Sequence, residues 1–337
     1  MEISVIVVTY ERRQLALDCL ATVEVALTAV DGPCEIVLVD NGSTDGTVSA
    51  VSGLHPAARI VALPRNEGFA GGVAAGMERA RGEWIALINN DAELEPEALV
   101  RLLEAGRSSG DVGSVAAQMR FARRPDLINS AGIDVDRLGV TVDRKLGEPV
   151  DPPDAPVEEV FGASGGAALL RRAMLDEVGG LDPSFFAYLE DADLAWRAQA
   201  AGWRALYVPG AIVLHHHSVT SRHGTPFKHW LVGRNRVRVL ARNADGRDLR
   251  RYGAAILVYD IGQVAYIVLT TRSLAGLRGR MRGLREWRGY RRAGATTRRH
   301  VALSPPRGVV AALRRNAVWS EGGALPEPHS THATTRS

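Results

Sequence analysis

Over the first 120 residues, short β-branched apolar runs alternate with stretches whose apolar positions recur every three or four residues. The runs at 3–8, 35–39, 59–63, 84–88 and 112–116 predict strands. Between the first two, Leu17, Leu20, Val23 and Leu27 fall on one helical face, predicting a helix packed on the sheet. Ser43-Thr44-Asp45 offers cap residues for the next helix, and Pro96 sits near the start of a helix over 95–105, where its missing N–H is harmless. The repeated βαβ order predicts an α/β fold: a Rossmann-like, mostly parallel central sheet flanked by helices.

After Met119 the pattern loosens, and 151–159, with three prolines and four acids, reads as a solvated loop. A second structured block follows: a Gly-rich run at 162–166, a strand at 167–170, a helix over 189–201, and a strand at 205–208 leading to His215-His216-His217. From about Lys228 basic helical segments dominate, and the Pro-, Ser-, Thr- and His-rich end predicts a disordered tail. The expected division is a catalytic domain over 1–225 (a nucleotide-binding half at 1–120 and an acceptor half at 121–225), a basic helical extension over 226–315, and a tail over 316–337.

Charge sharpens that division. The stretch 271–315 holds thirteen arginines against one acid, Glu286, a net +12 in a chain whose total is +3, which leaves the remainder at −9. Two cysteines, Cys19 and Cys34, have neither paired nor metal-like spacing and suit a reducing compartment. No basic leader precedes the first strand, so the expectation is a body that stays in the cytoplasm. The most apolar segment, 254–269, is interrupted by Asp260 and Gln263 and falls short of the ~20 residues that cross a bilayer. It is either an interfacial helix or a buried core helix.

Candidate chemistry collects where strands end, the edge at which α/β sheets bind ligands. The first strand ends in Thr9-Tyr10-Glu11 and the second in Asp40-Asn41-Gly42-Ser43-Thr44-Asp45, where Asp40 either bonds a base or ribose or makes an Asx turn. The third is followed by Arg65-Asn66-Glu67-Gly68, whose glycine permits close backbone approach. This is not a dinucleotide G-x-G-x-x-G fingerprint, which disfavours nicotinamide chemistry. The fourth strand ends in Asn89-Asn90-Asp91, oxygen ligands suited to Mg²⁺ or Mn²⁺ on a diphosphate, or else a turn. Phe185-Phe186-Ala187-Tyr188 leads into Glu190-Asp191-Ala192-Asp193 at a helix start, where acids either complement the dipole or include a general base.

Together and in this order, the Thr9-Tyr10, Asp40–Gly46, Arg65–Gly68, Asn89–Asp91 and Glu190-Asp191 motifs resemble glycosyltransferase family 2, over roughly residues 1–220. Within it the chain is most similar to bacterial rhamnosyltransferase-type enzymes of cell-surface polysaccharide synthesis. The resemblance implies the GT-A fold and single-displacement, inverting transfer from a nucleoside diphosphate sugar, dTDP-rhamnose or a UDP-sugar, to a hydroxyl of a lipid-linked cell-envelope glycan. It implies Asp191, with Glu190, as the catalytic base; Thr9, Tyr10, Glu11, Asp40, Asn41, Asn66, Gly68, Asn89 and Asn90 around the nucleotide sugar; and Asp91 and His215 at a divalent metal. Gly165, Gly166, Asp193 and Trp196 would line the acceptor side. One departure stands out: many members carry Asp-x-Asp where this chain has Asn89-Asn90-Asp91.

Two other readings compete. A sugar-phosphate nucleotidyltransferase would carry a Gly-rich basic loop after the first strand, where this chain has Val8-Thr9-Tyr10-Glu11. An inactive membrane-bound scaffold of the same fold is the other. The basic extension, with Trp287 and Tyr290 among its arginines, is expected to dock on anionic lipid at the inner face of the plasma membrane, ahead of being a solvated face with no partner and of binding nucleic acid.

Overall fold

The computed structural model describes residues 1–216, 225–295 and 298–306. The first half follows the alternation closely: β1 (Ile3–Thr9), α1 (Arg13–Leu27), β2 (Cys34–Asp40), α2 (Thr47–Leu54), β3 (Arg59–Ala62), α3 (Gly68–Arg79) and β4 (Trp84–Asn89). A short β5 (Ala92–Leu94) then intervenes, so that α4 (Ala98–Arg107) starts beyond Pro96 rather than around it; β6 (Val112–Phe121) follows.

The loosened stretch forms β7 (Arg124–Ser130), β8 (Ile133–Val135), β9 (Thr141–Asp143) and β10 (Glu158–Val160), three of them only three residues long. The loop expected over 151–159 is loop through 157, and only its last two residues join β10. Then come β11 (Ala167–Arg171), α5 (Arg172–Val178), a single 3₁₀ turn at Pro183–Phe185, α6 (Glu190–Ala201) and β12 (Arg204–His215).

The main sheet runs β10-β12-β6-β11-β4-β1-β2-β3, with β5 on β12 and β7 on β6. β4, β1, β2 and β3 are parallel, as expected for the nucleotide half, whereas β11 enters antiparallel to both β4 and β6. Side chains alternate between two cores along each strand. Val5 and Val7 face Leu20, Val23 and Leu102 on one side, while Ile6, Val37 and Val39 face Val73 on the other.

Register sets the site. Thr9 lies opposite Asp40, and Val8 opposite Asn89, so the polar ends of β1, β2 and β4 stand level at one edge. β11 begins beside β4, and Asn89 N–H donates to Gly166 O (2.9 Å), which brings the Gly-rich run to the same edge.

The chain closes with α7 (Pro226–Asn243), α8 (Gly246–Thr271) and α9 (Ala275–Ala293). Thr225 caps α7 by accepting from Lys228 N–H, and Pro226 occupies its first turn. α9 lies almost in contact with the α7 backbone: a Cβ on Gly279 would sit 2.1 Å from Trp230 O. α7 itself is not a solvated appendage, because Arg234, Asn235, Arg236 and Arg238 are all buried. Residue 217, residues 307–315 of the extension and the 316–337 tail lie outside the described residues.

Candidate active site

At the nucleotide end, the β1–α1 loop carries Glu11 and Arg12 in the left-handed region (φ 51° and 72°). That bend lets Glu11 N–H donate to Ser43 Oγ (2.8 Å) and the Glu11 carboxylate accept from Thr44 N–H and Oγ1 (3.1 Å each). Glu11 therefore stitches the first loop to the second. Asp40 makes the Asx turn through Oδ2, which accepts from Ser43 N–H (3.1 Å). Its Oδ1 is buried with no hydrogen-bond partner among the described residues. Such an oxygen is costly to bury and leaves room for a donor from outside the chain. The Asx-turn reading of Asp40 holds through Oδ2, and Oδ1 is left to a ligand donor.

Asn41 and Asn66 act inward. Asn41 donates to Gly68 O and accepts from Glu67 N–H (2.9 Å each), and Asn66 accepts from Gly68 N–H (2.8 Å). Both amide oxygens, with the Asn41 Nδ2, shape the third loop. Gly68 is there because nothing larger fits: its φ is +76°, and a Cβ would lie 2.3 Å from Phe186 O. Asn90 is buried and donates to Thr9 Oγ1 (3.0 Å), while Tyr10 stays exposed at the rim.

Asp91 and His215 meet at the end of β4 and β12. Asp91 Oδ1 and His215 Nε2 stand 3.1 Å apart, with both residues buried, and Asn89 Nδ2 lies 3.4 Å from the same ring nitrogen. Asn129 Oδ1, an acceptor, is 2.9 Å from His215 Nδ1, so that nitrogen carries a proton, and in the neutral ring Nε2 presents its lone pair toward Asp91. A carboxylate oxygen and an imidazole lone pair so placed fit a shared cation, and both are ordinary ligands for Mn²⁺. Of the histidine triplet, His216 instead pairs with Glu93 (2.6 Å).

The acidic motif sits behind a strained loop. Phe186, Tyr188 and Leu189 all have positive φ (68°, 72° and 67°), conformations that non-glycine residues hold only when their surroundings impose them. The surroundings here come from two sides. Ala70 N–H donates to Phe186 O (3.0 Å), and Asn235 Nδ2, fully buried on α7, lies 3.0, 2.9 and 2.8 Å from the carbonyls of Phe185, Ala187 and Tyr188. Arg234 adds bonds to Ser184 O and Phe185 O. The loop delivers Asp191 to Gly165 N–H (3.2 Å), one residue from the glycine that bonds Asn89. Burial pushes the Asp191 carboxyl up, although the Gly165 and Ala192 amides oppose the shift. Burial and then the Asp191 charge push Glu190 up, and Glu190 Oε2 is buried without a partner among the described residues.

Two expected acceptor-side residues do not face the site. Asp193 is fully buried between Arg197 (2.9 Å), Arg242 (2.7 Å) and Asn243 (2.9 Å), and ties α6 to α7. Trp196 is a core residue, edge-on to Phe161 at 6.2 Å between centroids. At 100° per residue, Asp193 points nearly opposite Asp191.

Sequence reasoning missed Asn129, Asn235, Asp143 and Lys228. Asp143 on β9 feels the charges of Asp191, His215 and Lys228, and burial lifts its carboxyl to about 6. Lys228, 4.9 Å over the Tyr188 ring, is brought down to about 8 by burial. The Lys228-led start of α7 was a usable signal; Asp143 gave none.

A mostly parallel sheet flanked by helices, with its polar strand ends level at one edge, is the arrangement of the GT-A fold. The chain belongs to glycosyl transferase family 2, whose model matches residues 4–179; it is a glycosyltransferase. It is 32% identical over 216 residues (56% of this chain and 68% of the relative) to N-acetylglucosaminyl-diphospho-decaprenol L-rhamnosyltransferase of Mycobacterium tuberculosis. It is 31% identical over 136 residues (38% and 42%) to undecaprenyl-phosphate 4-deoxy-4-formamido-L-arabinose transferase of Edwardsiella ictaluri. Among solved structures it is similar in fold to GalNAc-T7 with UDP, GalNAc and Mn²⁺ (TM-score 0.59, 14% identity, 85% of this chain and 57% of that one). It is also similar to the mannosyltransferase PcManGT of Pyrobaculum calidifontis with GDP-Man and Mn²⁺ (0.51, 19%, 95% and 80%).

Proposed function

We propose that this chain transfers a sugar from a nucleoside diphosphate sugar to a hydroxyl of a lipid-linked glycan by single displacement with inversion, and that Asp191 is the base. The observation carrying this is the bridge at Gly165-Gly166, which holds Asp191 and Asn89, and so the base and the Asp91–His215 pair, at one edge. Asp40 Oδ1 takes the nucleoside. A divalent cation held by Asp91 and His215 would offset charge on the departing diphosphate, usually the largest contribution to such catalysis. Asp191 accepts the acceptor hydroxyl's proton as its oxygen attacks the anomeric carbon, and Gly165 N–H and the strained loop hold the carboxylate on line.

The named relative supports an L-rhamnosyl group and a polyprenyl-diphosphate-linked acceptor; as donor we propose dTDP-rhamnose first, with UDP-sugars next. We assign the catalytic unit to 1–225 together with α7, whose side chains set the base loop. A lipid-linked acceptor confines the work to a membrane surface, and the free thiols of Cys19 and Cys34 suit the cytoplasmic side. The test is transfer of labelled sugar from dTDP-rhamnose to a polyprenyl-diphosphate N-acetylglucosamine. Product with inverted anomeric configuration, absent in Asp191→Asn, is the expected result; a retained configuration would rule out single displacement.

A further inference from the structure

Helix α8 is built inside out. A soluble protein's surface helix turns its apolar stripe to the core and its polar face to water. In α8, Leu257, Val258, Ile261 and Leu269 face outward at 61%, 69%, 62% and 81% exposure, with Ala254 and Ala265 on the same stripe. At mid-helix the polar residues face the protein instead: Asp260 accepts from Arg236 and Arg280 (2.9 Å each), Gln263 Oε1 accepts from Arg280, and Arg236 lies over the Tyr259 ring. Among the helix residues only Ile267 is buried, so the alternative of a buried core helix does not hold.

The next helix, α9, carries a stripe of the same kind. Leu274, Leu277, Met281 and Leu284, spaced three or four residues apart, are all exposed, and Arg278, Arg285 and Arg288 are exposed beside them. An apolar stripe edged by cations has the chemistry of an anionic bilayer surface: acyl chains for the leucines, headgroups for the guanidiniums.

By length and composition α8 is also able to span a bilayer. Its midpoint, however, is pinned to the body by the two Asp260 ion pairs, and Arg236 is itself buried on α7 and bonded to Leu138 O and Gly139 O. A spanning helix would have to break both pairs and take Asp260 into hydrocarbon. An in-plane helix keeps both.

We propose that α8 and α9 form a membrane-docking face on which α8 lies in the plane of an anionic leaflet, its outward stripe in the acyl boundary and the α9 arginines on the headgroups. The face needs neither donor nor acceptor, so its test is independent of the transfer reaction.

The experiment is co-sedimentation of the full chain with vesicles of phosphatidylglycerol and phosphatidylcholine, against phosphatidylcholine alone. Sedimentation is expected with the anionic vesicles, weakened by high salt and released by alkaline carbonate. Leu257→Asp with Ile261→Asp should abolish it. Arg278→Gln, Arg285→Gln and Arg288→Gln together should weaken it about 100-fold, at roughly one fivefold step per charge. Each variant is checked for an unchanged melting temperature, and at these exposed positions folding should survive. Three results would overturn the proposal: no sedimentation, resistance to carbonate, which would mean a spanning helix, or a dimer in solution that the Leu257→Asp pair dissociates, which would assign the stripe to a second copy.

Discussion

Asn235 lies one helix away from the chemistry, and its removal should nonetheless slow the reaction. Its amide faces three carbonyls at 2.8–3.0 Å in a fully buried position, and these belong to the loop in which Phe186, Tyr188 and Leu189 have positive φ. Asn235→Ala removes both donors and strands those carbonyls. At about 1 kcal/mol net per hydrogen bond, the loss is about 2–3 kcal/mol. The loop can recover part of this by relaxing left-handed residues that hold about 1–2 kcal/mol each. Relaxation moves Asp191, and a displacement of about 1 Å costs up to ~100-fold in rate. Asp40 and Asp91 sit on the sheet edge and should stay in place. Steady-state kinetics on the full chain, with thermal denaturation alongside, should show kcat down about 10–100-fold, donor KM within about threefold, and a melting temperature lower by several degrees. An unchanged kcat in the folded variant, or a rise in donor KM alone, would refute the reasoning.

Asp191→Asn should lower kcat by about 10²–10⁴-fold while leaving donor affinity intact by calorimetry; lost donor binding would remove it from the base role. Because burial raises the Asp191 carboxyl, and only the ionised form accepts a proton, kcat should fall with decreasing pH at values above the ordinary carboxylate range. Glu190 is raised as well, by burial and then by the Asp191 charge, and Glu190→Gln, which leaves Asp191 in place as the base, should retain an acid limb in the kcat profile; loss of that limb would contradict this assignment. Gly68→Ala places a methyl against Phe186 O at a positive φ, and should both raise donor KM and lower kcat, because it parts the nucleotide loop from the base loop; wild-type kinetics would show that the contact is dispensable.

The parallel half was legible because its strands are long enough to show apolar runs and each ends in a polar cluster, which β1–β2–β4 register then brings level. Asp191 and Asp193 were grouped by proximity in sequence, although helical geometry already separates their faces. Only the family resemblance singles His215 out of its triplet in the sequence; in the fold, what distinguishes it are contacts 86 and 124 residues away, with Asn129 and Asp91. The arginines were the least legible. Composition reads them as one solvated or lipid-facing block, yet Arg234, Arg236, Arg238 and Arg242 are spent on carbonyls and carboxylates of the body. No local pattern announces that a distant loop needs donors.

Binding of a metal by the Asp91–His215 pair, and of a nucleoside diphosphate sugar by the aligned strand ends, underlies the whole proposed reaction. Its most direct test is release of nucleoside diphosphate by the purified chain, across dTDP-, UDP- and GDP-sugars with and without Mn²⁺ or Mg²⁺, beside Asp91→Ala. Metal-dependent release from one donor, lost in the variant, is the expected result. Release that ignores both the metal and the Asp91 substitution, or no release from and no thermal stabilisation by any donor, would contradict the account.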